Sequence, residues 1–340
     1  MSDSASTPLL EVQNLVTRFS TEAGELVAVD GISFDVGRGQ RFGIVGESGS
    51  GKSATLWSII GLIDPPGSVT ADQISFDGID MLGMSREERR RIRGSRIGFV
   101  MQDPLAALSP VFSVGEQIAE TIRCHESVGR AEARRRAVEL LDSVGIPDAA
   151  TRVSSYPHEL SGGMRQRVAI AIALACNPDL IIADEPTTAL DVTIQAQVLE
   201  LLEEFCAQRG VAVLIVTHDL GVIARFADEV AVMYAGRIVE QGSAEQLLRS
   251  PRHPYTEALL VSQPRLDTER RSELPAIGGA PPSLVHRIRG CAFEPRCHRA
   301  AGRERCTIES PVLHPVGPSH SSACHFAAEL DSVGEVSLEA

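Results

Sequence analysis

No stretch of this 340-residue chain approaches the ~18 consecutive apolar residues that a membrane-spanning helix needs. The opening residues, Met1 to Pro8, are polar and uncharged apart from Asp3, so they lack signal-peptide character. The expected location is the cytosol, and work at a membrane would require docking on other subunits that span it. Positive charge is also scarce. The 32 Lys and Arg stand against 45 Asp and Glu, a net charge of −13 with a pI near 5.2, which argues against a nucleic-acid-binding surface. The arginines that do cluster (Arg86, Arg89, Arg90, Arg91 and Arg93, then Arg134 to Arg136) stand among Glu and Leu residues on helix-like segments and read as solvated faces. Internal repeats are absent. What remains is ordinary for a globular protein, 43% hydrophobic and 23% charged, and the length fits about two domains.

Against that background one segment stands out. Gly46-Glu47-Ser48-Gly49-Ser50-Gly51-Lys52-Ser53 fits the phosphate-cradling pattern G-x-x-x-x-G-K-[ST]. It follows the apolar run Phe42–Val45 and precedes a helix expected over Ser53–Leu62, which is the context the pattern requires. Its glycines let backbone N–H groups converge on phosphates, Lys52 reaches the β and γ oxygens, and the Ser53 hydroxyl ligates Mg²⁺. No second such loop occurs in the chain. Further on, Leu180–Ala183 is an apolar strand that ends in Asp184 and Glu185. Buried parallel strands deliver their C-terminal residues to the ligand crevice. Asp184 is thus placed to hold Mg²⁺, directly or through water, and Glu185 to polarise the water that attacks the γ-phosphate.

The strand-length runs Phe42–Val45, Ile97–Met101, Leu180–Ala183, Val211–Val216 and Val230–Met233 alternate with helical patterns, which predicts an α/β sheet of parallel character. Ala235-Gly236 marks a hairpin between Val230–Met233 and Ile238–Val239. Between Gln102 and Leu160 the period turns helical, over Val114–Arg123 and Arg130–Val144, with Ala119, Ile122, Val138 and Leu141 as the expected inner faces. After Gly242 prolines punctuate the chain and periodicity fades, which predicts a small loop-rich appendage. Of seven cysteines, Cys124, Cys176 and Cys206 fall singly in helix-like segments and read as core residues. Cys291, Cys297, Cys306 and Cys324 crowd the last sixth, where metal or redox chemistry is a better reading than disulfides.

Leu160-Ser161-Gly162-Gly163-Met164 would be plain helix punctuation on its own. Together with the phosphate loop upstream and the acidic strand end downstream, it resembles the signature sequence of ABC transporter ATP-binding subunits. The resemblance runs from about Leu9 to Arg265, with Met164 where many members carry Gln. It implies the fold: a P-loop ATPase domain over 9–250 with an inserted helical subdomain at about 103–170. That domain would follow a flexible 1–8 and precede a C-terminal domain at 251–326 and a tail at 327–340. It implies that Gln102 links Mg²⁺ and the attacking water to the membrane subunits and that His218 senses the γ-phosphate. It implies that Asp191 lies in the loop by which two cassettes sense each other and that nucleotide contacts extend to Ala54. Ser161, Gly162 and Gly163 would present a hydroxyl and N–H groups to a phosphate held by a partner's P-loop. Phe19 would stack on adenine, or else belong to the core.

His253-Pro254-Tyr255-Thr256 and the cysteine run, with Cys324-His325, are similar to the dipeptide and oligopeptide importers and their nickel and glutathione relatives. That branch implies a second, related ATPase chain as partner, two integral membrane permease subunits and an extracytoplasmic substrate-binding protein, with no nucleic acid. Some of its members hold a [4Fe–4S] cluster on four such cysteines, so the resemblance implies one on Cys291, Cys297, Cys306 and Cys324, with reduced thiols or adventitious zinc as the alternatives. A soluble ABC ATPase of DNA repair or translation would share the core motifs. The spacing from P-loop to signature leaves no room for the coiled coils or zinc inserts such proteins add.

Overall fold

The computed structural model describes residues 7–188, 191–262, 277–285 and 288–330. In chain order the strands are β1 Leu10–Thr21, β2 Gly24–Val36, β3 Arg41–Val45, β4 Gly67–Thr70, β5 Gln73–Phe76, β6 Ile79–Asp80, β7 Ile97–Val100, β8 Leu180–Asp184, β9 Ala212–Thr217, β10 Glu229–Tyr234, β11 Arg237–Ser243, β12 His314–Gly317 and β13 His320–Ser322. The α-helices are α1 Lys52–Ile59, α2 Arg86–Ile92, α3 Pro104–Ala107, α4 Val114–His125, α5 Arg130–Ser143, α6 Ala149–Arg152, α7 Gly162–Leu174, α8 Val192–Arg209, α9 Leu220–Phe226, α10 Ala244–Arg249, α11 Pro254–Val261 and α12 Glu304–Ile308. They form two compact units interleaved along the chain, one of residues 1–11, 35–41 and 74–216, the other of 12–34, 42–73 and 217–340.

In the first unit, β7, β8 and β9 are parallel, with Ile97 opposite Leu180 and Leu180 opposite Ala212. Leu180–Ala183 and Ala212–Val216 are fully buried. Such strands are covered on both faces and read as continuous apolar runs rather than alternating ones. α4 packs on α5, and both pack on α7. A capping box starts α4, Ser113 accepting the Glu116 N–H at 3.3 Å while the Glu116 carboxylate accepts the Ser113 N–H at 3.0 Å. The inner faces agree with the sequence reading at Ile122 and Leu141 and differ at the other residue of each helix. Ile118, Ile122, Ala137 and Leu141 are buried, whereas Ala119 and Val138 are half-buried, because the apolar stripes of α4 and α5 start at Val114 and Ala133. The arginine clusters are solvated in part: Arg86, Arg90, Arg91, Arg134 and Arg135 are exposed, Arg135 pairing with Glu132 and Glu139, whereas Arg89, Arg93 and Arg136 are half-buried, Arg136 against Glu126. Of the three single cysteines only Cys206 is core; Cys124 is exposed at the polar end of α4 and Cys176 is half-buried in the turn after α7.

In the second unit, β3 lies parallel to β10, which turns back through Ala235 and Gly236, both at positive φ, into antiparallel β11. Such a two-residue turn matches the twist of the strands it joins. β1 pairs antiparallel with β4, Val16 opposite Thr70; this long antiparallel element was not foreseen. Nor were β12 and β13, a hairpin of the appendage that continues antiparallel from β11, Glu240 opposite Ser322. The stretch from 327, expected to fray, begins with a 3₁₀ turn at Ala327–Glu329 and a buried Leu330. The remainder, 331–340, and residues 1–6 lie outside the described residues.

Candidate functional site

The phosphate loop leaves β3 at Val45 and enters α1 at Lys52. It lies close on its neighbours. A Cβ at Gly46 would collide with the Met233 carbonyl, and one at Gly51, where φ is 105°, with the Ala28 carbonyl. Only glycine permits both approaches. Lys52 is 5% exposed, and its Nζ donates to the carbonyl oxygens of Gly46 at 2.8 Å and Glu47 at 3.0 Å. The ammonium is thus held within its own loop by bonds that a phosphate would replace. Ser48 and Gly49 are exposed, Ser50 is buried, and Ser53 and Ala54 are half-buried on the first turn of α1. The open backbone, one ammonium and one hydroxyl fit a nucleotide triphosphate and a hard cation. Phe19 sits half-buried on β1 opposite Gly67 of β4, in the same unit as the loop. His218 follows β9 and is exposed; next to it, Asp219 caps α9, and its own N–H is taken by Thr217 Oγ1 at 3.0 Å.

In the other unit, Asp184 is the last residue of β8 and is 4% exposed. Glu185 follows at a φ of 46°. A non-glycine residue in this left-handed region stores about 1–3 kcal/mol of strain, a cost found where a side chain must be aimed. Its N–H donates to the Val216 carbonyl at 2.8 Å. Its carboxylate accepts the Thr188 hydroxyl at 2.8 Å and the Gln102 amide at 3.1 Å. Gln102 and Glu185, 83 residues apart, are therefore brought together. The Thr188 contact had no signal in the sequence beyond its place three residues on.

Ser161 caps α7, accepting the Met164 N–H at 3.3 Å, and is exposed. A Cβ at Gly162 would meet nothing within 4 Å, and one at Gly163 only the Ile194 side chain at 2.8 Å. Asp191 caps α8, accepting the Ile194 N–H at 3.0 Å, while its neighbours Ala189 and Leu190 lie outside the described residues.

The cysteine appendage departs from expectation. Cys291 and Cys306 are backbone neighbours, the Cys291 N–H donating to the Cys306 carbonyl at 2.8 Å. The four residues nonetheless line two different cavities, although their thiols lie near enough to raise one another's pKa. Cys297, Cys306 and Cys324 line a cavity of about 30 Å³ with Arg303 and Phe326, whereas Cys291 borders a separate one of about 530 Å³. The smaller holds a water or two, not four irons and four sulfides. Burial pushes Cys291 up to about 11 and raises the other three thiols, so all four are held protonated. Among the described residues no group of three or more His, Cys, Asp or Glu side chains is arranged to hold a metal ion. As the side chains stand, they do not fit a [4Fe–4S] cluster.

Comparison with known proteins agrees with the nucleotide machinery. A family profile described as ABC transporter matches residues 29–188, and one described as the C-terminal region of oligopeptide/dipeptide transporters matches 239–306. The dipeptide transport ATP-binding protein of Escherichia coli (strain K12) is 47% identical over 332 residues, covering 97% of this chain and 99% of that protein. The oligopeptide transport ATP-binding protein of Bacillus subtilis (strain 168) is 51% identical over 288 residues, 84% of this chain and 80% of that one. Among solved structures, a dimeric ATP-binding cassette in a post-hydrolysis state bound to ADP and Pi superposes with a TM-score of 0.63 at 29% identity, over 69% of this chain and 98% of that one. The chain belongs to the ATP-binding subunits of ABC transporters, in their dipeptide and oligopeptide import branch.

Proposed function

We propose that this chain hydrolyses ATP at the cytoplasmic face of the membrane, as a peripheral subunit, and that the hydrolysis drives peptide uptake through two permease subunits fed by a substrate-binding protein. The single observation that carries the catalytic part is Glu185, strained into a left-handed backbone and held by Thr188 and Gln102. In this reading Lys52 leaves the carbonyls of Gly46 and Glu47 for the β and γ oxygens. Ser53, Asp184 and Gln102 would hold Mg²⁺, and the ion would neutralise phosphate charge. Glu185 orients the attacking water and accepts its proton as the water oxygen bonds to the γ phosphorus and ADP leaves with the bridging oxygen. His218 donates to the departing phosphate, and Phe19 stacks on adenine.

The signature turn supports a dimer. Ser161 and Gly162 are open to solvent, as groups that serve another subunit's nucleotide must be, and Asp191 caps α8, whose Ile194 side chain lies against Gly163. The partner we infer is a related but different ATPase chain. Leu105, Val111 and Phe112, exposed at 55%, 70% and 51% beside Gln102 and at the start of α4, give the helical region an apolar face for the permeases. ATP binding would shift the pair toward a closed state because its contacts exist only there.

The test is purification from gently solubilised membranes with mass spectrometry of what accompanies the chain. Two multi-span proteins and a second P-loop protein support the importer; ribosomal or DNA-repair proteins alone would sink it. Dipeptide, longer peptide, glutathione or nickel chelate as cargo is then decided by uptake assays. The cysteine cluster is the finer part of the reading. It rests on four cysteines gathered in one small appendage, Cys306 buried and the others half-buried, whose side chains would have to turn together to hold a cluster; a colourless protein without stoichiometric iron and acid-labile sulfide after anaerobic purification ends it.

A further inference from the structure

Glu47 is an odd residue to find in a loop that cradles a triphosphate. It sets a carboxylate one residue from Gly46, at the start of the loop, and a negative charge that near a bound triphosphate would oppose binding. The structure shows what meets it. Arg296, at the end of the 3₁₀ turn Glu294–Arg296 of the appendage, donates both terminal nitrogens to that carboxylate, at 2.6 and 2.9 Å. The pair spans 249 residues of chain but lies within one compact unit.

Arg296 is built in rather than draped over the surface. Its side chain is 3% exposed and lies over the rings of Tyr234 and Phe293, 5.8 and 5.9 Å from their centroids. Its Nε donates to the Gly278 carbonyl at 2.9 Å, and a terminal nitrogen reaches the Tyr234 hydroxyl at 3.3 Å. A second tie comes from α11, where the buried Tyr255 hydroxyl accepts the Glu47 N–H at 2.8 Å. Tyr234, Tyr255 and Phe293 pack on one another with centroids 4.5 to 5.3 Å apart. Backbone and side chain of Glu47 are therefore both held by residues beyond 250. A bidentate guanidinium–carboxylate pair is directional as well as strong, so it fixes where the loop starts as well as cancelling its charge.

We propose that Arg296 is a positioning residue for ATP: by neutralising and holding Glu47 it sets the affinity of the phosphate loop, and makes that affinity a property of the C-terminal appendage. This rests on the reading of Gly46–Ser53 as the ATP-binding loop. The experiment uses the full chain with a fluorescent ATP analogue, and the assembled importer for kinetics. R296M keeps the packing on Tyr234 and Phe293 but strips the charge. It should weaken analogue binding about tenfold, the effect of losing a charged hydrogen-bonded contact, and raise KM for ATP with kcat nearly unchanged. Adding E47Q to R296M should recover most of the loss, because the exposed repulsion goes with the carboxylate; a merely structural arginine would show no such rescue.

R296M at parental affinity, or a defect that E47Q leaves untouched, overturns the proposal. Should R296M fail to fold, R296K, which keeps charge but not the fork, must show a smaller loss in the same direction, and parental affinity there overturns it equally. K52A separates the two levels. If K52A binds normally, the loop reading and the clamp fall together; if K52A loses binding while R296M does not, the clamp alone falls.

Discussion

Two glycine turns open helices in this chain, and they are built in opposite ways. The phosphate loop is braced at both ends and open at Ser48 and Gly49: a Cβ at Gly46 or Gly51 would strike the carbonyls of Met233 and Ala28, Lys52 is buried, and Glu47 is held by Tyr255 and Arg296. The signature turn is bare. Ser161 and Gly162 face solvent, and the start of α7 is ordered by the 3.3 Å cap, by the Arg165 N–H on the Ser161 carbonyl and by the Arg165 guanidinium on the Pro157 carbonyl. A loop that must present several N–H groups to one ligand is braced by its own chain. If, as proposed, the ligand of the signature turn arrives on another subunit, that turn needs no such brace from its own chain and its backbone donors stay open.

The sharpest break in that contrast is steric. Gly51→Ala places a Cβ against the Ala28 carbonyl at a φ of 105° and should abolish nucleotide binding by the isolated chain, read by analogue titration. Gly162→Ala meets open space and should leave that titration unchanged, while ATP turnover by the assembled complex falls. Equal loss of analogue binding in both variants would erase the distinction. Next in size, Glu185→Gln should lower turnover of the assembled complex by about 10²-fold or more, the scale of a lost general base, and leave an ATP-bound dimer visible on a sizing column; turnover at the parental rate would remove Glu185 from its role.

The braced side also carries a pH dependence. His253 is fully buried beside Phe293, and burial pushes it down to about 3. The folded state thus keeps it neutral, whereas the unfolded chain protonates near 6.5. Above 6.5 neither form binds the proton and nothing is lost. Between 6.5 and 3 the unfolded chain gains one that the native state refuses, so stability falls by about 1.4 kcal/mol per pH unit from this group. Thermal melts of His253→Asn should show a shallower acid decline than the parent. The smallest effect belongs to the bare turn: Ser161→Ala removes one helix cap and should cost about 1 kcal/mol in melts, with no change in analogue affinity.

The sequence made the nucleotide machinery legible because each motif is local. Eight consecutive residues specify the phosphate loop, an apolar run ending in Asp184 and Glu185 specifies a strand end, and Ala235-Gly236 specifies a hairpin. Helical faces were less secure. Ile122 and Leu141 are buried as read, but small residues weight a stripe weakly, and Ile118 and Ala137 are buried in place of Ala119 and Val138. The pairing of β1 with β4 escaped notice because polar residues interrupt both strands. What could not be read at all was the meeting of Glu47 with Arg296: the contact is fixed by two tyrosines and a phenylalanine from three different elements, and no spacing in one sequence encodes it. The cysteines taught the converse. Proximity in sequence gathered them into one appendage, but the folded chain sets Cys291 at one cavity and the other three at a second.

The hairpin β12–β13 has a consequence for how this protein can be shortened. Without it β11 would end in a row of unpaired backbone donors and acceptors, a template on which another chain can aggregate. The hairpin also brings His320, whose Nε2 lies 2.8 Å from the carboxylate of Glu240, a residue with no exposed surface. A version trimmed back to the ATPase core would uncover both a sticky margin and a stranded buried acid. The appendage is therefore what keeps the margin of its own sheet soluble.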